Sequence, residues 1–198
     1  MPIARRPDYN GGVNIQSLLG FYSRAATLKS LHRAGWRRCG IPAEDCESVA
    51  DHSFGVALLS LLVPTLAPQG IDRDRCVALA LVHDLAESIV GDITPHDGVE
   101  AAEKHTREER AMRELADTLG DESVLSLWLE FEEAQTPEAK LVRDLDLIDM
   151  ALQAKRYESD ASLTSEQSAA FIESAQRRMT TTTGHKLLTA LLALKAHG

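Results

Sequence analysis

Cysteine is scarce in this chain: Cys39, Cys46 and Cys76 are the only three among 198 residues, and none forms a C-x-x-C pair. An odd, unpaired set excludes a disulfide framework and argues against a structural zinc site. Cys76 opens an apolar run and is expected as a small core residue, whereas Cys39 and Cys46 fall in a loop as free thiols. Long hydrophobic runs are lacking too. No apolar stretch approaches the roughly 20 residues of a membrane helix. The basic start, Met1 to Pro7, is not followed by an apolar signal core, so the expected location is the cytoplasm. Positive charge is in deficit, with 21 Lys and Arg against 30 Asp and Glu and a net charge of −9. Polymeric nucleic acid is therefore a poor partner. A small anion stays possible, because a metal ion and one or two arginines can dominate a local field.

What is present points to helices. Val and Ile rarely alternate with polar residues, and Ala, Leu, Glu, Arg and Lys dominate. The expectation is one all-α domain over residues 1–198, with roughly seven or eight helices. The first spans about Asn14 to Ala34, with Asn14 as N-cap. A second starts at Ser48, where Ser48 and Asp51 have capping-box spacing, and stops near Val63, before Pro64. A third runs from about Asp72 to Val90 and is stopped by Gly91. Further helices are expected over about Glu100–Leu119, Glu122–Ala134, Pro137–Tyr157, Gln167–Arg178 and His185–Ala196. Ile93 to Gly98 reads as a turn-rich loop. Leu187, Leu188, Leu191, Leu192 and Leu194 form apolar surface near the C-terminus, suited to core packing or to a dimer interface.

Three segments carry ionisable groups into apolar surroundings. His52 falls in a stripe with Val49, Val56, Leu59 and Val63, so it points inward. Alone, such a histidine is more often a core residue bonded to a carbonyl than a ligand. His83-Asp84 ends the uncharged run Cys76 to Val82, and Glu87 follows on the same helical side. Burying two such groups unpaired is costly, so they need a partner. On the helix from Lys140 to Leu152, Asp144, Asp146 and Asp149 are all candidates, and spacing does not choose among them. A second His-Asp pair, His96-Asp97, sits between Pro95 and Gly98 and reads as a surface turn. His105 lies in a charged helix and reads as a surface or pocket-rim residue.

Two imidazoles and two carboxylates on separate helices would hold a divalent cation and leave room for water, the arrangement of a hydrolase centre. The pattern resembles the HD-domain metal-dependent phosphohydrolases, with their H…HD…D motif, and most closely the branch containing the 5′-deoxynucleotidases. The carriers are Glu47-Ser48-Val49-Ala50-Asp51-His52, Leu79 through Glu87, Val90-Gly91-Asp92-Ile93, Leu28 through Trp36, and Ala139-Lys140 through Asp146 to Glu158. The resemblance covers about residues 16 to 160. It implies that His52, His83, Asp84 and Asp146 bind one metal ion per chain, with Mn, Co, Fe, Ni, Zn and Mg all compatible with nitrogen and oxygen ligands. It also implies that Glu87 orients or deprotonates the attacking water and that Asp92 completes the substrate side. Arg33 would contact the phosphate, and Trp36 would pack near the sugar and disfavour a 2′-hydroxyl. Without the resemblance, Arg33 reads as a helix-end cation and Trp36 as a hydrophobic lid.

The expected activity is removal of the 5′-phosphate from (deoxy)nucleoside monophosphates, in a homodimer. The alternatives are hydrolysis of another phosphoester, such as a nucleoside triphosphate, cyclic nucleotide or phosphorylated metabolite, or a non-catalytic nucleotide-binding module.

Overall fold

The computed structural model describes residues 13–193. Among them the regular elements are helices, and the one β-bridge pairs His32 with Ser48. The α-helices are α1 (Ile15–Ala25), α2 (Ala34–Arg38), α3 (Val49–Leu62), α4 (Arg73–Val82), α5 (Glu87–Val90), α6 (Ala101–Leu119), α7 (Ser123–Glu133), α8 (Pro137–Ser159), α9 (Ser165–Arg178) and α10 (Thr182–Ala193). The expected basic segment Met1–Pro7, Leu194 and the helix end at Ala196 lie outside the described residues.

Local chemistry fixes most boundaries. Asn14 caps α1, and Ser48 caps α3 through a reciprocal box with Asp51. Asp72, Thr136 and Thr164 cap α4, α8 and α9, and Pro137 opens α8 where no amide donor is needed. Gly91 ends α5 with a φ of 79°, a conformation that a Cβ disfavours.

Two expected helices are broken. The first ends at Ala25, passes through a 3-10 turn (Ala26–Lys29), and restarts only at Ala34. The break is made by distant backbone pairing: Val49 N donates to Leu31 O at 2.8 Å and Arg33 N to Glu47 O at 3.1 Å. The helix expected to run to Val90 stops at Val82. From there the amides reach back three residues: Leu85 N to Val82 O, Glu87 N to Asp84 O and Ser88 N to Leu85 O. His83-Asp84 therefore sits in a tight turn rather than on a continuous helical face.

Helix α3 is central, packed against α4 and α8, while α8 also carries α9. The 18-residue span Val49–Leu66, with mean hydropathy 1.5, is long and apolar enough to cross a membrane by composition alone. This corrects the expectation that no such stretch exists. Its inner face, Val49, His52, Val56 and Ser60, is buried among the other helices. The C-terminal leucines divide: Leu188 and Leu191 are buried beside Leu147, Ile148 and Ile172, whereas Leu192 is exposed. Exposed apolar side chains gather on α3, at Phe54, Leu58, Leu61 and Leu62, and on α1, at Ile15, Leu18, Leu19 and Tyr22. Cys76 is buried as expected, and Cys46 joins it in the interior rather than standing in an open loop.

Candidate metal centre

The centre forms where α3, the α4–α5 turn and α8 meet. His52 is fully buried, and its Nε2 lies 3.1 Å from Asp146 Oδ1 and 3.3 Å from His83 Nε2. One donor atom from each of His52, His83 and Asp146 falls within 4.8 Å of the others, a possible metal site.

Both imidazoles are oriented from behind. His52 Nδ1 donates to Asp149 Oδ2 at 2.8 Å, and His83 Nδ1 donates to Ala80 O at 2.7 Å. With the proton on Nδ1 in each ring, the two Nε2 lone pairs point at each other. That arrangement repels unless a proton or a cation lies between them. Burial disfavours a charge on His52, and Arg33 opposes it as well. Hydrogen bonds to Asp146 and Asp149 outweigh both, and its pKa rises to about 9. His83 is raised against burial by Asp84. Conversely, Asp146 falls to about 2 despite burial, because His52 hydrogen-bonds to it and His52 and His83 lie near.

Asp84 borders this group without closing it. Its Oδ2 lies 3.2 Å from His83 Nε2 and 3.7 Å from His52 Nε2, and the same oxygen accepts from Arg33 Nη1 at 3.2 Å. Burial opposes its charge, yet His83, Arg33 and His52 hold its carboxyl far below the usual range. Arg33 is correspondingly locked in its charged form: burial works against it, but Asp84, Asp146, Asp92 and Glu87 prevail. The turn at His83 permits this convergence. On an ideal helix the two side chains would diverge by about 100°.

Glu87 is 5% exposed, and its Oε2 has no hydrogen-bond partner. Burial, with Asp84 and Asp92 nearby, pushes its carboxyl well above the ordinary range. Asp92 Oδ2 accepts from Ala34 N at 2.6 Å and so caps α2 from outside. Arg33 is the residue before that helix, so Asp92 fixes the backbone from which the guanidinium reaches Asp84.

Trp36, expected beside a sugar, is 2% exposed. Phe171 covers it at 4.2 Å between ring centroids, Tyr157 meets it edge-on at 5.4 Å, and its Nε1 donates to Glu47 Oε1 at 2.6 Å. Enclosed in this way, the ring belongs to the core and steadies Glu47. His105 is exposed and stacks on Trp128, in keeping with a rim position.

The three aspartates of α8 do separate jobs. Asp146 faces the imidazoles and Asp149 orients His52. Asp144 is buried and accepts from the amide and hydroxyl groups of Thr180 and Thr181 at the start of α10. Asp149 is one of the three aspartates expected as a candidate ligand, and the structure places it behind His52 instead, on Nδ1. Its signal was a position three residues after Asp146 on a helix with more aspartates than solvent requires.

The HD-domain family model matches residues 25–189. The chain belongs to the HD-domain family. Within it, the chain is 41% identical over 147 residues to 5′-deoxynucleotidase HDDC2 of Danio rerio, covering 73% of this chain and 71% of that protein. The human protein of the same name is 40% identical over 150 residues, covering 74% and 71%. A 5′-deoxynucleotidase of Schizosaccharomyces pombe is 41% identical over 149 residues, covering 72% and 73%. Among solved structures, a protein from Pyrococcus horikoshii superposes with a TM-score of 0.75 at 32% identity, covering 89% of this HD-domain chain and 99% of the other.

Proposed function

We propose that this chain is a divalent-metal phosphohydrolase that removes the 5′-phosphate from deoxynucleoside 5′-monophosphates. The observation that carries the reading is its identity of about 40%, across some 71% of their length, to proteins named 5′-deoxynucleotidases. The centre supports it, since two oriented imidazoles and a carboxylate converge within 4.8 Å. These residues fit a metal: their donors are nitrogen and oxygen, and the facing Nε2 atoms call for positive charge between them. In the proposal His52, His83 and Asp146 hold one ion, with Asp84 as a fourth ligand. Such an ion supplies Lewis-acid polarisation of the phosphoryl group and lowers the pKa of a bound water.

The chain's own residues do the rest. Arg33, fixed in direction by Asp84 and by the Asp92-capped helix, offers its remaining donors to the phosphate oxygens. Glu87, buried, unpartnered and with a raised pKa, takes the proton of the attacking water. Water oxygen bonds to phosphorus, the bond from phosphorus to the 5′-oxygen breaks, and the proton that Glu87 took passes to the leaving oxygen. Asp92 keeps α2 in register with the turn at His83. Trp36 contributes indirectly, by holding Glu47 and the start of α2, and any preference for deoxyribose follows from that placement.

We also take residues 1–198 as one domain, in a cytoplasmic homodimer whose apolar contact is the Phe54, Leu58, Leu61 and Leu62 face of α3; light scattering of wild type and Leu58→Glu tests the assembly.

The activity test is phosphate release from ribo- and deoxynucleoside 5′-monophosphates, after chelation and re-addition of Mn, Co, Mg or Zn. Metal-dependent release from the deoxy series is expected, with the ribo series weaker. No release with any metal would shift the function to another phosphoester or to nucleotide binding without turnover.

A further inference from the structure

Two cavities border the centre, and their charges are opposite. One, about 730 Å³, is walled by Glu44, Asp45, Glu47, Asp51 and Asp149 and repels anions. The other, about 380 Å³, lies between the end of α7, the first turns of α8 and the α9–α10 corner. It is lined by Lys140, Arg143, Arg178 and Thr180, with Asp144 and Asp146 in its floor.

The second cavity is built for negative charge. Among the described residues, Lys140, Arg143 and Arg178 make no ion pair, in a chain with nine more acidic than basic residues. Arg143 spends one donor on Glu132 O at 3.0 Å, and Arg178 spends Nε on Ser174 O at 3.4 Å. Asp144 keeps its charge, but four hydrogen bonds from Thr180 and Thr181 hold its two oxygens, and the lining sets three cations, Lys140, Arg143 and Arg178, against two carboxylates. Asp146 faces His52. What remains toward the cavity is net positive.

The cavity is also coupled to the chemistry. It shares Asp146 with the metal group. The Arg143 guanidinium lies 5.5 Å over the Phe131 ring, whose own ring stands 5.3 Å from that of His83. Arg33, which pairs with Asp84, is not among the residues that line this cavity.

We propose that this cavity is a second anion subsite that holds a phosphate group away from the place where phosphorus is attacked. The proposal rests on the phosphohydrolase reading for its location, and it names the substrate feature that reading leaves open: a second phosphate on the nucleotide, or the released phosphate held before departure. Neither group is needed by the centre itself, where Arg33 already serves the scissile phosphate.

The test uses metal-reloaded protein. Initial rates are measured on deoxyadenosine 5′-monophosphate and deoxyadenosine 3′,5′-bisphosphate, with and without inorganic phosphate, for wild type and for Arg143→Gln/Arg178→Gln. Both side chains are exposed, so the fold should survive, and circular dichroism checks it. If the subsite takes a substrate phosphate, wild type has a KM for the bisphosphate about tenfold below that for the monophosphate, and the variant brings the ratio to about one. If it retains released phosphate, the two KM values match, and inhibition by inorganic phosphate weakens about tenfold in the variant. Equal KM ratios and equal phosphate inhibition in both proteins overturn the proposal. Calorimetric titration with inorganic phosphate separates this from a wrong activity. Wild type that turns over no nucleotide but loses phosphate affinity in the variant sinks the nucleotidase reading and keeps the subsite.

Discussion

At the scale of single residues, the orientation of His52 rests on a pair that contacts no substrate. Asp149 accepts from His52 Nδ1 at 2.8 Å, and its carboxylate occupies the space where a side chain at position 55 would begin. Gly55 is three residues after His52 on α3, in ordinary helical conformation. Its glycine identity is thus explained by the close approach of α8 rather than by a backbone requirement. A methyl group there would enter the van der Waals envelope of both carboxylate oxygens. Gly55→Ala is therefore expected to displace Asp149 and free the imidazole to rotate, with little loss of helicity, since alanine favours a helix. Partners of this kind alter metal affinity by about 10–100-fold when lost. Titration with a competing chelator measures it. Wild-type affinity in Gly55→Ala would show that His52 holds its direction without Asp149.

At the scale of elements, the sequence made the capped helices legible and hid the breaks. Asn14, Ser48-Asp51, Asp72, Pro137 and Gly91 each act locally, within a turn of the boundary they set. The interruptions after Lys29 and at His83 do not. Thr27 to Arg33 contains no glycine or proline, and its extended stretch is imposed by bonds to residues 47–49. The turn at His83 likewise contains no glycine or proline, and good helix formers flank it on both sides. Those two breaks bring Arg33 and Asp84 within 3.2 Å, so the candidate site was visible as a set of residues but not as a geometry. Trp36 shows the same limit: nothing local signals that Phe171, from α9, covers its ring. Tertiary contact also governs α10. Its start is anchored by Asp144, and a Cβ on Gly184 would press on that carboxylate and on Met179. Gly184→Ala should destabilise the fold by about 1–3 kcal/mol, because overpacking and partly broken bonds to a buried carboxylate outweigh the gain in helix propensity. A denaturant midpoint equal to that of wild type would refute this.

At the scale of the whole molecule, the centre ties together three separate elements that pack against one another. His52 comes from α3, His83 from the turn after α4, and Asp146 from α8. An ion bound by all three stabilises the native state by mass action, by about 2.7 kcal/mol at a concentration of 100 times Kd. For a chain of this length that corresponds to a rise in melting temperature of roughly 5–10 °C, which chelation should remove and added metal restore. The effect should depend on pH in a definite direction. Without the ion, hydrogen bonds to Asp146 and Asp149 favour the charged imidazole of His52, and its pKa stands at about 9, above its ordinary 6.5. The folded protein therefore binds more protons than the unfolded chain in this window, and that stabilisation is full below pH 6.5 and lost as pH rises through about 9. Metal binding must expel the same proton, so it strengthens over the same range. The gap in melting temperature between metal-loaded and chelated protein is expected to widen from pH 6.5 to pH 9, as read by thermal denaturation at the two pH values. A gap that stays constant would mean that the imidazoles do not share their charge with the ion. No gap at either pH would mean that His52, His83 and Asp146 hold no ion in common.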